Sequence, residues 1–214
     1  MTAASGLLRE KMLVAQDERG DEALMEAYQR GNSRAFDVLL QRHKRPVYNF
    51  LTRQVGDREL AEDLLQEVFL RVIKGARKYK REAKFTTWLY TIARNLCVDN
   101  ARRAKHRRAA SLDQPIGGVE GRSTMGELVS DKGPAVDRQV IGRQLQQRLK
   151  AAVAQLSEEQ REVFLMRETL QMPFKEIAEV VGCPENTVKS RMRYALENLR
   201  ELLAEYRDLA RAVH

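Results

Sequence analysis

The stretch from Pro173 to Tyr194 constrains this chain most tightly, because its punctuation admits one local fold. Ile177, Ala178 and Val181 recur at helical spacing and predict a short helix with one apolar face. Gly182 ends that helix, since glycine enters the left-handed C-terminal position without a steric penalty. Pro184 cannot occupy a helix interior but suits the first turn of the next helix. Val188, Met192, Leu196 and Leu199 then form the apolar stripe of that second helix. Ala178 is small enough for two steeply crossing helices to approach there. The product is a helix-turn-helix, whose second helix is of the kind that enters a major groove. Two short helices around a glycine also occur in ordinary helical cores. Here, however, Lys189, Ser190, Arg191, Arg193 and Tyr194 supply the groups that phosphate and base-edge contacts require.

The 214-residue chain carries 38 Lys and Arg against 30 Asp and Glu, a formal net charge of +8. That balance suits a polyanionic partner, though charge alone does not separate nucleic acid from an acidic membrane surface. The 12 Gly and 5 Pro cluster between helical stretches, which predicts an all-α protein. Cys97, Cys183, His43, His106 and His214 have no metal-ligand spacing, so no metal or cofactor is expected. The two cysteines read as reduced thiols of a cytoplasmic protein. No run reaches the ~20 apolar residues that cross a bilayer, and no apolar run marks a signal peptide.

Residues 1–20 read as a weakly ordered arm. Asp21 is expected to cap a helix bearing Leu24, Ala27 and Tyr28 that stops at Gly31. Asn32 or Ser33 caps the next, with the stripe Phe36, Leu39, Leu40, His43, Val47, Phe50 and Leu51 and a disturbance at Pro46. No nucleophile or ligand set accompanies His43, which reads as a partly buried helix residue. Asp57 caps a third helix, in which Leu60, Leu64, Val68 and Val72 point inward and Leu65, Phe69 and Ile73 widen the stripe. Glu59, Glu62, Asp63, Gln66 and Glu67 make its other face acidic, either a solvated surface or a docking surface for a basic partner.

A basic loop, Lys74–Lys84, follows. Thr86 or Thr87 is expected to cap a fourth helix running from Phe85 to Arg108, with Leu89, Ile92, Ala93, Leu96 and Val98 in the core. Trp88, Tyr90, Asn95, Asn100 and Arg103 are available outside it. Five of the seven residues from Arg102 to Arg108 are Lys or Arg. Cations interleaved with aromatics are the ingredients of a single-strand platform, in which charge follows the backbone and rings stack on bases. Phe85 reads as a core aromatic; Trp88 fits either the core or the platform, and helical phase does not decide between them. Residues 109–137, rich in Gly, Pro and acidic groups, read as a flexible linker. A helix resumes near Ala135 with Val140, Leu145, Leu149, Val153 and Leu156. Ser157 and Gln160 have capping-box spacing, and Val163, Phe164 and Leu165 continue that helix toward the helix-turn-helix. The expected architecture is therefore all-α, with helical domains at 21–108 and 138–206.

Two segments stand in a recognisable order. Ala61–Val72 followed by Phe85–Asn95 resembles region 2 of bacterial sigma-70-type factors. Leu156–Phe164 followed by Glu176–Arg191 resembles region 4. With only these two regions and a short linker, the chain resembles the extracytoplasmic-function (ECF, group 4) subfamily over roughly Glu22 to Leu203. The resemblance implies a helical region 2 bundle and a region 4 helix-turn-helix. It implies docking of Asp63, Gln66, Glu67 and Phe69 on the β′ clamp of core RNA polymerase. It implies −10 DNA contacts from Lys78, Lys80, Arg81, Lys84, Trp88, Asn95, Arg102 and Arg103. It further implies −35 contacts from Thr187, Lys189, Ser190, Arg191, Arg193 and Tyr194, with Lys and Arg suited to guanine acceptors and phosphates. The family's linker threads through polymerase, so both the β and β′ subunits are implied partners, along with promoter DNA and an anti-sigma factor. Many relatives have Ser or Thr where Pro173 stands, and proline has no side-chain oxygen with which to cap.

The implied function is that of a sigma factor that directs polymerase to promoters and helps to melt the −10 region, without catalytic residues of its own. One rival is a stand-alone helix-turn-helix regulator, which would bind duplex promoter DNA without polymerase. Another is a nucleic-acid enzyme; no paired-carboxylate, His/Cys or Gly-rich phosphate site stands in a suitable context for one.

Overall fold

The helix ends follow from local chemistry, and most of that chemistry is legible. The structure, a computed structural model, describes residues 17–112 and 136–204, with side chains over 17–107 and 145–204. The helices are α1 (Asp21–Gln29), α2 (Ser33–Val55), α3 (Arg58–Gly75), α4 (Phe85–Leu112), α5 (Val136–Gln155), α6 (Glu158–Phe164), α7 (Phe174–Val181) and α8 (Glu185–Leu202). A 3-10 turn, Ala76–Lys78, follows α3, and a π turn, Leu165–Thr169, follows α6. No strand occurs among the described residues. Most of the expected arm and linker, residues 1–16 and 113–135, lies outside the described residues.

Asn32 caps α2 by accepting the Ala35 N–H, and Asp57 caps α3 by accepting those of Glu59 and Leu60. Ser157 accepts the Gln160 N–H, but the return half of the capping box is missing: the Gln160 side-chain Oε1 accepts from the Asn198 amide instead. Gly182 holds φ 69° at the end of α7, the left-handed value expected there. Pro173 supplies no side-chain cap to α7; it enters extended, and its carbonyl accepts the Ile177 N–H at 3.0 Å. Pro46 lies inside an unbroken α2.

Two expected caps are corrected. Asp21 is the first residue of α1 rather than its cap, and its carboxylate turns to Arg42 (2.9 Å) and His43 (2.7 Å). Neither Thr86 nor Thr87 caps α4, because that helix already begins at Phe85, whose N–H is accepted by Glu22 of α1 at 2.9 Å. The helix expected to carry Val163 to Leu165 ends at Phe164 in the π turn, which sends Leu165 and Met166 into the core.

Helices α1–α4 enclose one apolar core around Leu24, Leu39, Phe50, Val68, Phe85 and Leu89. Helices α5–α8 enclose another around Val163, Met166, Ile177, Val188 and Ala195. Tyr90, expected outside, is buried edge-on against Phe50 with ring centroids 5.4 Å apart. In α8 the buried position is Ala195 rather than Leu196; it lies three residues after Met192 and four before Leu199, at the centre of the stripe. Ile73 and Leu149, both assigned to core stripes, are exposed.

The buried residues of both units belong to one hydrophobic cluster, and polar contacts line the seam where the units meet. Helix α4 packs on α7, and the end of α2 packs on α5, α6 and the π turn. At its centre Glu162, with a side chain 4% exposed, takes Arg94 Nε at 2.8 Å; Arg191 approaches its other oxygen at 3.8 Å. Around it Arg161 donates to the Gln54 carbonyl (3.1 Å), Arg53 to Thr169 Oγ1 (3.0 Å), and Lys84 pairs with Glu176 (2.6 Å). The Gln54 side-chain oxygen and Thr87 Oγ1, the latter two helical turns before Arg94 on α4, are buried without partners. Cys97 lies one turn beyond Arg94, and burial, with the nearby Glu162 carboxylate, pushes its thiol up to about 12.

Two outcomes are expected. Arg94→Ala strands much of the Glu162 charge, and removing one partner of a buried pair costs about 3–5 kcal/mol. The seam should loosen, and alkylation of Cys97 at pH 7, in a Cys183→Ser background, should accelerate by roughly 10- to 100-fold; an unchanged rate contradicts the seam. Burial raises the Asp21 pKa, but His43 and Arg42 outweigh it and hold the carboxyl below its ordinary range. Its contribution is therefore present above pH ~4 and lost as pH falls through the depressed value. Asp21→Asn should cost about 1–3 kcal/mol of stability at pH 7 and progressively less toward pH 2, as measured by urea unfolding.

Candidate nucleic-acid interface

The residues expected to read DNA fall on two helices. On α8, Val188, Met192, Ala195 and Leu199 are buried, which turns Lys189, Ser190, Arg193 and Tyr194 outward. Thr187 is half-buried beside them. The Arg193 guanidinium lies over the Tyr194 ring, 4.9 Å from its centroid, which pre-orients a flat cation beside an aromatic on the exposed side of α8. Lys189 pairs along the helix with Glu185 at 2.7 Å and Arg193 approaches Glu197 at 3.9 Å. These are solvent-screened contacts that a phosphate can replace. Arg191 points the other way. It is held by Glu159 (2.9 Å) and Glu162 and by a donated bond to Cys183 Sγ (3.7 Å), so it ties α8 to α6.

The second set lies on α4 and the loop before it. Trp88, Asn95 and Arg102 recur every seven residues, so they share one face of α4 over about 21 Å. Asn95, Arg102 and Arg103 are exposed, as are Lys78, Lys80, Arg81 and Lys84 in the loop. Trp88 is half-buried, with its ring 5.1 Å from that of Tyr79 and 6.1 Å from that of Phe85. It is therefore packed on one side and accessible on the other. A Cβ at Gly75 would lie 3.0 Å from the Trp88 ring, so that glycine makes room for the indole. Tyr79 is buried beneath the loop, and its hydroxyl donates to the Ala83 carbonyl at 2.8 Å. Burial, reinforced by Glu22, raises the Tyr79 phenol to about 12, so it stays a neutral donor. Lys84 lies at the junction of the two sets, where Glu176 of α7 holds it and raises its pKa.

On α3, Asp63 and Gln66 are exposed, while Glu67 pairs with Arg71 at 2.9 Å, which holds its carboxyl below the usual range. Phe69 does not share that surface. It is 7% exposed and packs edge-on against Phe36 at 6.4 Å. Leu70, one turn beyond Gln66 and Glu67, and Ile73, one turn beyond Leu70, are exposed instead, so the acidic face continues into an apolar strip. Sequence reasoning missed Leu70 and placed Ile73 in the core. The signal was available in the 63, 66, 67, 70, 73 spacing, but a stripe widened to include Ile73 hid it.

Among the described residues, no group of three His, Cys, Asp or Glu side chains could hold a metal ion, and no helix is long and apolar enough to cross a membrane.

Residues 39–107 match the family model for Sigma-70 region 2, and residues 146–199 match that for Sigma-70, region 4. The chain is 30% identical over 176 residues to the ECF RNA polymerase sigma factor SigW of Bacillus subtilis, covering 82% of this chain and 92% of the relative. It is 31% identical over 181 residues to the RNA polymerase sigma factor CarQ of Myxococcus xanthus, covering 85% and 96%. Its fold is similar to that of the sigma factor RpoE co-crystallised with the anti-sigma factor NepR from Bartonella quintana, with a TM-score of 0.61 and 22% identity over 79% of this chain and 96% of that one. Both sigma regions are thus present in order, on the two helical units that carry the candidate DNA-reading rows. The chain belongs to the sigma-70 family of RNA polymerase sigma factors, in its extracytoplasmic-function subfamily.

Proposed function

We propose that the chain docks on core RNA polymerase through α3, reads the −10 element with α4 and its preceding loop, and reads the −35 element with α8. The observation that carries this reading is that one chain bears two separate cation-and-aromatic rows, Trp88–Asn95–Arg102 and Lys189–Arg193–Tyr194. A regulator acting alone needs only the second row. The first has the composition of a surface for unpaired bases, because rings stack on splayed bases while exposed cations follow the backbone. Extruding a base costs a few kcal/mol, which that row and the loop cations must offset. The chemistry of RNA synthesis belongs to polymerase; this chain supplies binding and DNA opening.

The polymerase-facing surface in this reading is Asp63, Gln66 and Glu67 with Leu70 and Ile73, a mixed acidic and apolar strip suited to a basic, partly apolar helix of the β′ subunit. The linker between the two regions would run along both large subunits. A protein of this fold, RpoE, binds the anti-sigma factor NepR, and a partner of that kind would cover the same DNA- and polymerase-facing surfaces here. Glu176 on Lys84 sets a carboxylate where DNA would set a phosphate, so engagement of the loop by DNA would exchange that contact.

Run-off transcription with purified core polymerase, with and without the chain, tests the reading. Transcription without the chain, or specific binding of duplex promoter by the chain alone, contradicts it. The double variant Lys189→Ala, Arg193→Ala should lower −35-dependent transcription by at least about tenfold while polymerase binding persists. Asp63→Lys with Glu67→Lys should weaken capture of core polymerase by the full chain in a pull-down, while urea unfolding of the chain stays as in the parent.

A further inference from the structure

Helix α1 precedes the segment that matches region 2, which begins at residue 39. It nevertheless makes the bonds that shape the loop between α3 and α4. Gln29 Nε2 donates to the carbonyls of Ala76 and Tyr79, both at 2.8 Å, so one primary amide spans the 3-10 turn and uses both of its hydrogens. Both partners are acceptors, which fixes the orientation of the amide. One turn earlier on the same face, Glu26 approaches Arg81 at 3.6 Å. One turn before that, Glu22 accepts the Phe85 N–H at 2.9 Å and so caps α4 from another helix. The cap position of α4 belongs to Lys84, a cation that cannot accept this bond. A carboxylate there also complements the positive end of the α4 dipole. Residues 22, 26 and 29 thus form one polar row directed at the loop and at both of its ends.

The row acts on residues that face DNA. Tyr79, whose carbonyl Gln29 holds, is buried and packs its ring against Trp88. Between the two anchors the side chains of Lys78, Lys80, Arg81 and Lys84 are turned outward.

We propose that Gln29 and Glu22 of α1 are positioning residues for −10 recognition: they hold the loop 76–84 and the first turn of α4 in the shape that presents Trp88 and the loop cations to DNA. This rests on the reading that the loop faces the −10 element. Gln29→Glu keeps the size of the side chain but aims a carboxylate, which only accepts, at two carbonyls. Gln29→Leu removes the bonds without adding repulsion. The loop should become less defined with Gln29→Leu and less defined still with Gln29→Glu, and with it the discrimination between bases.

The test uses the full chain in holoenzyme, on a promoter selected by run-off transcription with the parent protein and on versions with single-base changes in its −10 element. The readout is the ratio of open-complex formation, by permanganate reactivity, on the selected promoter over each changed one. The ratio should fall several-fold for Gln29→Leu and further for Gln29→Glu, with core polymerase binding unchanged. A general loss of folding lowers opening on all templates alike and leaves the ratio constant, so a constant ratio in both variants overturns the proposal. If Gln29→Glu loses polymerase binding, the milder Gln29→Leu decides. Lys80→Ala with Arg81→Ala separates the two levels. If that variant compresses the ratio and the Gln29 variants do not, α1 is not a brace. If neither set moves it, the loop does not read the −10 element and the brace falls with that reading.

Discussion

The arrangement of this protein turns on one buried carboxylate. Glu162 sits between Arg94 of the first helical unit and Arg191 of the second, with almost no contact with solvent. Such a group cannot be left unpaired without a cost of several kcal/mol, so its position dictates where both arginines lie. The net gain from a buried pair is often small, because desolvation consumes most of the attraction. Its effect is on geometry rather than strength. It fixes how α4 meets α6 and how α8 is tied to α6, and it turns Arg191 away from the exposed row of Lys189, Arg193 and Tyr194.

The seam around that carboxylate is lined by polar groups, not all of them partnered. Two buried polar atoms, on Gln54 and Thr87, have no partners, and each such group costs about 1–3 kcal/mol that water would relieve. The outer contact, Lys84 with Glu176, is solvent-screened and contributes little. Helix α4 therefore bears two adjacent stripes with different tasks. Thr87 and Arg94 lie along the seam, while Trp88, Asn95 and Arg102 lie one residue further round on the face assigned to DNA.

Much of this was legible in the chain. The helix-turn-helix, the caps at Asn32, Asp57 and Ser157 and the left-handed Gly182 follow from local rules, because each depends on residues within one turn. The errors share a different cause. Thr86 and Thr87 looked like caps because nothing nearby showed that Glu22, 63 residues away, would accept the Phe85 N–H. Tyr90 looked available because helical phase alone does not say how wide a buried stripe is; Phe50 decides that from another helix. Helical phase placed Phe69 inward, where Phe36 meets it, and only the family resemblance set it on a docking surface. Leu196 was placed in the core on hydrophobicity, where geometry selects the smaller Ala195. The seam had no sequence signal at all, since Glu162 reads as one acidic residue among several on a short amphipathic helix.

The central claim is that the two helical units are held together across Glu162. Spin labels at Lys105 on α4 and Glu197 on α8, both exposed, report the distance between the units by pulsed dipolar spectroscopy in a Cys97→Ala, Cys183→Ser background. The account predicts one narrow distance distribution with Arg94 in place and a broader, longer one in Arg94→Ala. The same distribution in both would contradict it.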